Sequence, residues 1–177
     1  MAILPIIEAP DARLRVISEP VDTFDDALKT LIADMFETMY DAPGIGLAAI
    51  QVGVAKRILV IDLQEADPED PEGKRLIREP RIFINPVFSD FSEDDTVYQE
   101  GCLSVPEQYA DVVRPSEVTV DWQDENGEKH QERMTGLMAT CIQHEHDHLE
   151  GILFIDHLSR MKRDMLLKKL SKLRRAA

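Results

Sequence analysis

Five histidines are spread over the 177 residues, and three of them fall in one stretch, Gln143-His144-Glu145-His146-Asp147-His148. This stretch holds a His-Glu-x-x-His pattern inside a segment whose periodicity predicts a helix. On a helix His144 and His148 lie a little over one turn apart and project side by side, about 40° apart around the axis. Two imidazoles placed this way can reach one metal ion, and Glu145 beside them is free to handle a proton from a water that the metal activates. The plain alternative is an amphipathic helix with capped or solvated histidines, so the remaining ligand has to be sought elsewhere.

A catalytic site of this kind needs a third protein ligand and one open position. One extended metalloprotease pattern puts a glycine three residues past the second His and a third His three further on; Gly151 is present, but Phe154 stands where that His belongs. The carboxylates after His148 are Glu150, Asp156 and Asp164, which support a downstream Glu ligand poorly. His146 lies about 200° from His144 around the helix and faces away. His130 sits in a polar hairpin strand and reads as solvated, and His157, beyond Gly151, as a surface or capping residue. Cys141, three residues before His144, reads as a small buried thiol under the ligands. Cys102 is the better donor. It lies in Glu100-Gly101-Cys102-Leu103-Ser104-Val105-Pro106, a loop-like segment in which Gly101 lets backbone approach a ligand. A thiolate there would bind a soft or borderline metal and lose its proton in doing so.

The elements that must hold these residues can be placed from patterning. After an extended N-terminal arm, Thr23 reads as an N-cap with Asp26 completing a capping box. Leu28, Leu31, Ile32, Met35, Phe36 and Met39 then make one buried stripe of a helix running to about Tyr40. Gly44-Ile45-Gly46-Leu47-Ala48-Ala49 is small and flexible, and residues 65–80, rich in acids and prolines, read as an exposed loop. Strands are expected over 57–62, 81–85, 97–99, 111–114, 117–122 and 128–134, the last two joined by a tight turn at Asn126-Gly127. The helix with the His pair starts after Thr135 and ends near Gly151 as its C′ residue. Leu158, Met161, Met165, Leu166, Leu170 and Leu173 mark a final helix. One α+β domain over residues 1–177 is expected, mostly antiparallel strands packed with a central metal-binding helix and a C-terminal helix.

At 44% apolar and 31% charged residues the composition is that of a globular chain with a full core, not a disordered one. No apolar run suits a membrane span, and the N-terminus lacks the basic start of a secretory signal. Two cysteines are too few for a disulfide framework, so a reducing cytoplasm is the expected location. The net charge of −14 is uneven. Residues 160–177 hold eight basic residues against Asp164, or +7, which leaves −21 on residues 1–159. The acidic body argues against sequence-specific nucleic-acid binding, while the basic terminal helix could touch RNA or an acidic partner, or lie on its own acidic body.

Three segments, 44–53 (Gly44 to Gly53), Glu100-Gly101-Cys102-Leu103-Ser104 and 143–151 (Gln143 to Gly151), closely resemble, in order and spacing, the three signature motifs of peptide deformylases. The likeness runs from the N-terminal arm to the basic C-terminal helix. It implies removal of the formyl group from N-formylmethionyl peptides, with Cys102, His144 and His148 holding a divalent metal: ferrous iron as the usual physiological ion, with zinc, nickel or cobalt able to take its place. In that scheme Glu145 serves as base and then acid, Gln51 offers its side-chain NH2 to the oxyanion, and the backbone N–H of Leu103 is the second donor. Gly44, Ile45 and Gly46 suit backbone pairing with an extended peptide, and Ile45, Leu137 and Cys141 an apolar pocket for the methionine side chain. The resemblance also suggests that the C-terminal helix docks on the ribosome. Two positions depart from the family pattern: Ile50, where Pro is frequent, and Tyr109, where many members carry an arginine that assists peptide binding. Another peptidase built on the same His pair is disfavoured by Phe154 and the Cys102 loop, and a structural zinc module by the presence of Glu145 and Gln51.

Overall fold

The computed structural model describes residues 2–176; Met1 and Ala177, the ends of the expected domain, lie outside the described residues. Its organising element is β2 (Ile58–Ile61), four consecutive apolar residues that are all buried. A strand turns successive side chains to opposite faces, so an unbroken apolar run needs cover on both. Ile58 and Val60 pack with Leu28, Ile32, Met35 and Met39 of α1 (Asp26–Asp41), while Leu59 and Ile61 pack with Ala139, Ile142 and Leu149 of α2 (Gly136–Leu149). The sheet is therefore sandwiched between the two helices. It is antiparallel, with spatial order β1 (Gly46–Ala48), β2, β3 (Arg81–Ser89), β6 (Val118–Gln123), β7 (Lys129–Met134).

A separate two-stranded ribbon, β4 (Asp95–Cys102) with β5 (Val105–Pro115), carries the cysteine motif. It is fastened by a third apolar cluster in which Val105 and Val112 meet Ile7 and Leu14 of the N-terminal arm, Phe154 and Ile155, and Leu166 and Leu170 of α3 (Arg160–Ala176). The arm also ties ribbon to sheet directly. The Ile7 N–H donates to the Gln51 carbonyl at 2.7 Å and the Ala9 N–H to the Ser104 carbonyl at 2.8 Å.

Several sequence expectations are refined. The N-cap of α1 is Asp25, whose Oδ1 accepts the Leu28 N–H at 2.9 Å, and not Thr23. A cap oxygen reaches the N–H two or three residues on, and the first buried residue, Leu28, places the cap at 25. The segment read as flexible is the ordered edge strand β1, held by pairing with β2. The strands expected at 81–85, 97–99 and 111–114 are longer than their apolar cores, because ladder bonds extend into polar residues. The 126–127 turn is part of a five-residue loop in which the Asp124 carboxylate accepts the N–H groups of Asn126 and Glu128. Gly151 follows α2 with φ 71°, the left-handed conformation expected of a C′ glycine. On α3, Leu166 and Leu170 are buried, but Met161 and Met165 are exposed, because the helix presents only a narrow seam to the body. No helix of the described residues is long and apolar enough to cross a membrane.

Candidate active site

The two ends of the constellation come from different layers. The helix α2 supplies His144, Glu145 and His148, and Cys102 ends β4 at an irregularity in the ribbon's register. Their donor atoms converge: the sulfur and one nitrogen from each imidazole lie within 4.8 Å of one another. The Cys102 Sγ is 3.4 Å from His148 Nε2. Two tetrahedral ligands bound at roughly 2.3 Å (S) and 2.0 Å (N) would lie about 3.5 Å apart, so the donor set fits one small divalent ion. Both histidines are buried. Burial, with the charges of His144 and Arg114, pushes His148 well below its usual pKa. At His144 burial is overcome by hydrogen bonds to Cys102 and Glu100, which hold it well above, so that metal binding displaces a proton from His144.

Behind His144 runs a buried ionic network. Its Nδ1 donates to Glu100 Oε1 at 2.8 Å, which leaves Nε2 free for a ligand. Glu100 is gripped in turn by Arg114, through Nε to Oε2 at 2.7 Å and Nη2 to Oε1 at 3.0 Å. Arg114 reaches on to Asp147 Oδ2 at 2.9 Å, and His157 Nε2 meets the same oxygen at 2.8 Å. Burial opposes ionisation of Glu100, but the hydrogen bonds from His144 and Arg114 outweigh it and hold its pKa at about 2. Arg114 thus ties the strand that carries the cysteine to the helix that carries the histidines. His157 is the outer end of this network rather than a bare surface residue.

Glu145 sits beside the donors, with Oε1 3.8 Å from His144 Nε2 and Oε2 buried without a hydrogen-bond partner among the described residues. Burial pushes its pKa up to about 7, the Glu100 and Asp147 carboxylates adding and His144 and Arg114 opposing. The close approach of β1 requires glycine: a Cβ on Gly46 would stand 2.7 Å from Glu145 Oε1. Gln51, also buried, is oriented by its own backbone surroundings. Its Oε1 accepts the Ala48 N–H at 2.9 Å, which fixes the amide so that Nε2 donates to Ser104 Oγ at 3.0 Å and faces Cys102 Sγ at 3.5 Å.

A cleft of about 650 Å³ opens onto these groups, lined by Gly44, Ile45 and Gly46 of the sheet edge and by Gly101, Cys102 and Leu103 of the ribbon, with Glu145 among its walls. Tyr109 stands at its rim, mostly exposed, its ring so close over Gly101 that a Cβ there would lie 2.6 Å away. Ile50 is buried in the core. Leu137 and Cys141 pack with Ile142 and Met134 in the core cluster beside the site and do not line this cleft; burial, helped by Glu145 and Glu100, pushes the Cys141 thiol to about 12, so it stays protonated. Glu100, Arg114 and Asp147 have no role assigned from the sequence, and His157 only that of a surface or capping residue. Glu100 had a usable signal, since it is the carboxylate nearest in sequence to Cys102 and a metal-binding histidine commonly donates its other N–H to a carboxylate. Arg114 had none.

A donor set of one half-buried thiol and two buried imidazoles, with a free carboxylate beside it and a cleft in front, puts the chain in the class of metal-dependent hydrolases. The comparisons narrow the class. Residues 3–164 match the family model described as Polypeptide deformylase. The chain is 70% identical over 176 residues to the peptide deformylase of Rhizorhabdus wittichii, covering 99% of this chain and 98% of that one, and 55% identical over 172 residues to that of Pseudomonas aeruginosa, covering 97% and 96%. It superposes on the crystal structure of peptide deformylase from Ehrlichia chaffeensis with TM-score 0.89 at 43% identity, covering 99% of each chain. The chain belongs to the polypeptide deformylase family. Its reaction is metal-dependent hydrolysis of the N-formyl group from N-formylmethionine of nascent polypeptides, with release of formate.

Proposed function

We propose that Cys102, His144 and His148 hold the metal, that Glu145 carries the proton, and that Gln51 and the Leu103 N–H receive the oxyanion. The observation that carries this reading is the convergence of the three donor atoms within 4.8 Å, with the Glu145 carboxylate beside them and outside the donor set. The metal, when bound, polarises the formyl carbonyl and makes water a nucleophile at neutral pH. Glu145 takes the proton of that water and delivers it to the departing amine nitrogen, a shuttle suited to a carboxyl whose pKa burial has raised. Gln51 serves as oxyanion donor because the Ala48 N–H holds its carbonyl and turns its NH2 toward the site. Losing one such donor costs roughly 100- to 1,000-fold in rate.

The substrate reaches the site in extended form. β1 is an edge strand of the sheet, paired on one side with β2, and its free edge borders the cleft, so a formyl-peptide adds as a further strand at Gly46, with Gly44 and Ile45 lining its path and Gly101 facing it. Ile45 lines the site of the methionine side chain, and Leu137 and Cys141 back it from the core. The native metal is Fe2+, which a Cys-His-His set accommodates along with Zn2+, Ni2+ or Co2+. The enzyme works in the cytoplasm on chains leaving the ribosome, and α3, with its basic residues, is the docking element; the whole chain acts as one catalytic unit. Removing residues 160–177 weakens ribosome binding and spares turnover of a free formyl-peptide.

The test is formate release from formyl-Met-Ala-Ser by anaerobically purified protein and by Glu145→Ala, with metal content assayed in both. Turnover in the first and a loss of about 100- to 10,000-fold in a variant that keeps its metal is the expected result. A variant that lost its metal as well would mean that Glu145 belongs to the donor set.

A further inference from the structure

We propose that Gln64, a residue outside all three motifs, is a positioning residue that sets the peptide-binding edge of the cleft. This rests on the reading of β1 as the strand that receives the peptide. Gln64 has a left-handed backbone, φ 52°, unusual for a residue other than glycine and persistent only where the surroundings enforce it. Two contacts do so. Its N–H donates to Asp62 Oδ1 at 3.1 Å, and its side-chain Nε2 donates to the Gly44 carbonyl at 3.0 Å.

Asp62 is fully buried and collects donors from three parts of the chain. Oδ2 accepts the Tyr40 hydroxyl of α1 at 2.5 Å, and Oδ1 accepts the N–H groups of Gln64 and, at 3.0 Å, of Glu79 at the far end of the 65–80 loop. The Asp62 N–H meanwhile donates to the Ile45 carbonyl at 2.8 Å. The ladder between β1 and β2 covers Gly46 to Ala48. These two further hydrogen bonds, to the carbonyls of Ile45 and Gly44, carry the alignment two residues beyond it, through the part of the edge that lines the cleft. Gly44 also donates its N–H to Met39 at 2.8 Å, so both of its backbone polar groups are committed and the turn has one orientation. Without the Gln64 amide, the Gly44 carbonyl is released and the turn can rotate. A peptide would then have to order the edge as it binds, which weakens binding and leaves the reacting groups as they were.

The experiment compares steady-state deformylation of formyl-Met-Ala-Ser by the metal-loaded wild type, Gln64→Gly and Gln64→Asn. Both substitutions tolerate the left-handed backbone and neither offers an amide long enough to reach Gly44. The expected result is a KM raised about three- to tenfold with kcat within about twofold and unchanged metal content. A matching peptide N-methylated at the Ala nitrogen is run alongside on the wild type. If N-methylation weakens binding and both variants keep the wild-type KM, the inference on Gln64 fails while the strand reading stands. If N-methylation has no effect on wild-type binding, the strand reading fails and takes this inference with it. A fall in kcat at unchanged KM would also overturn it, since Gln64 would then act on the chemistry.

Discussion

Two places in the described residues bring three metal-capable side chains together: Cys102, His144 and His148 in the cleft, and Asp124, Glu128 and His130 at the tip of the β6–β7 hairpin. By distance alone they are equivalent. They differ in what surrounds them. The first set is drawn from two elements distant in sequence, its histidines are buried, and His144 is oriented by Glu100, which Arg114 holds in turn. The second is local to one loop; Glu128 and His130 are exposed, and the Asp124 carboxylate already serves as the loop's own cap for Asn126 and Glu128. Proximity of donors is cheap in a polar hairpin. A site needs ligands whose orientation is fixed before the ion arrives and whose charge water does not screen.

Removing one donor from each place separates the two most directly. Cys102→Ala is expected to purify with almost no metal and no deformylation, and Asp124→Ala with the same metal content as the wild type and a melting temperature within about 2 °C of it. Metal analysis of the two proteins decides the matter; equal loss in both would erase the distinction. A smaller effect is expected behind the ligands. Arg114→Met leaves all three donors in place but frees Glu100, and metal affinity should fall about 10- to 100-fold, read as faster loss to a chelator. Arg114→Lys, which keeps the charge but not the two-pronged grip on Glu100, should fall between. The smallest effect is at the hairpin. The His130 hydrogen bond is the main cause of a lowered Asp124 pKa, with the backbone N–H groups of Asn126 and Glu128 adding and slight burial opposing. Its contribution to stability is therefore fully present above the usual carboxylate value of 3.8 and is lost as pH falls through the lower folded value. A proton titration of Asp124 that midpoints below 3.8 in the wild type, and moves up toward it in His130→Ala, is the expected outcome.

Residues within one element were legible because their relation is set by backbone geometry. The pairing of His144 with His148, the free position of Glu145 and the turn of His146 away from the pair follow from helical periodicity, and the alternation through β2 follows from the pleat. Cys102 could be singled out because its neighbours are glycine and turn residues and because competing donors failed one by one; the motifs then added what spacing could not, namely the reaction. Chain chemistry also determined the uneven charge and the basic α3. Only the tertiary structure decided the rest. That β1 is an edge strand depends on the order of the whole sheet. That Arg114 braces Glu100 and Asp147, that His157 ends the same network, and that the Gln64 side chain holds the Gly44 carbonyl are contacts between residues 14, 33, 10 and 20 positions apart. No period of a helix or strand encodes such separations, because they are fixed by how the layers pack.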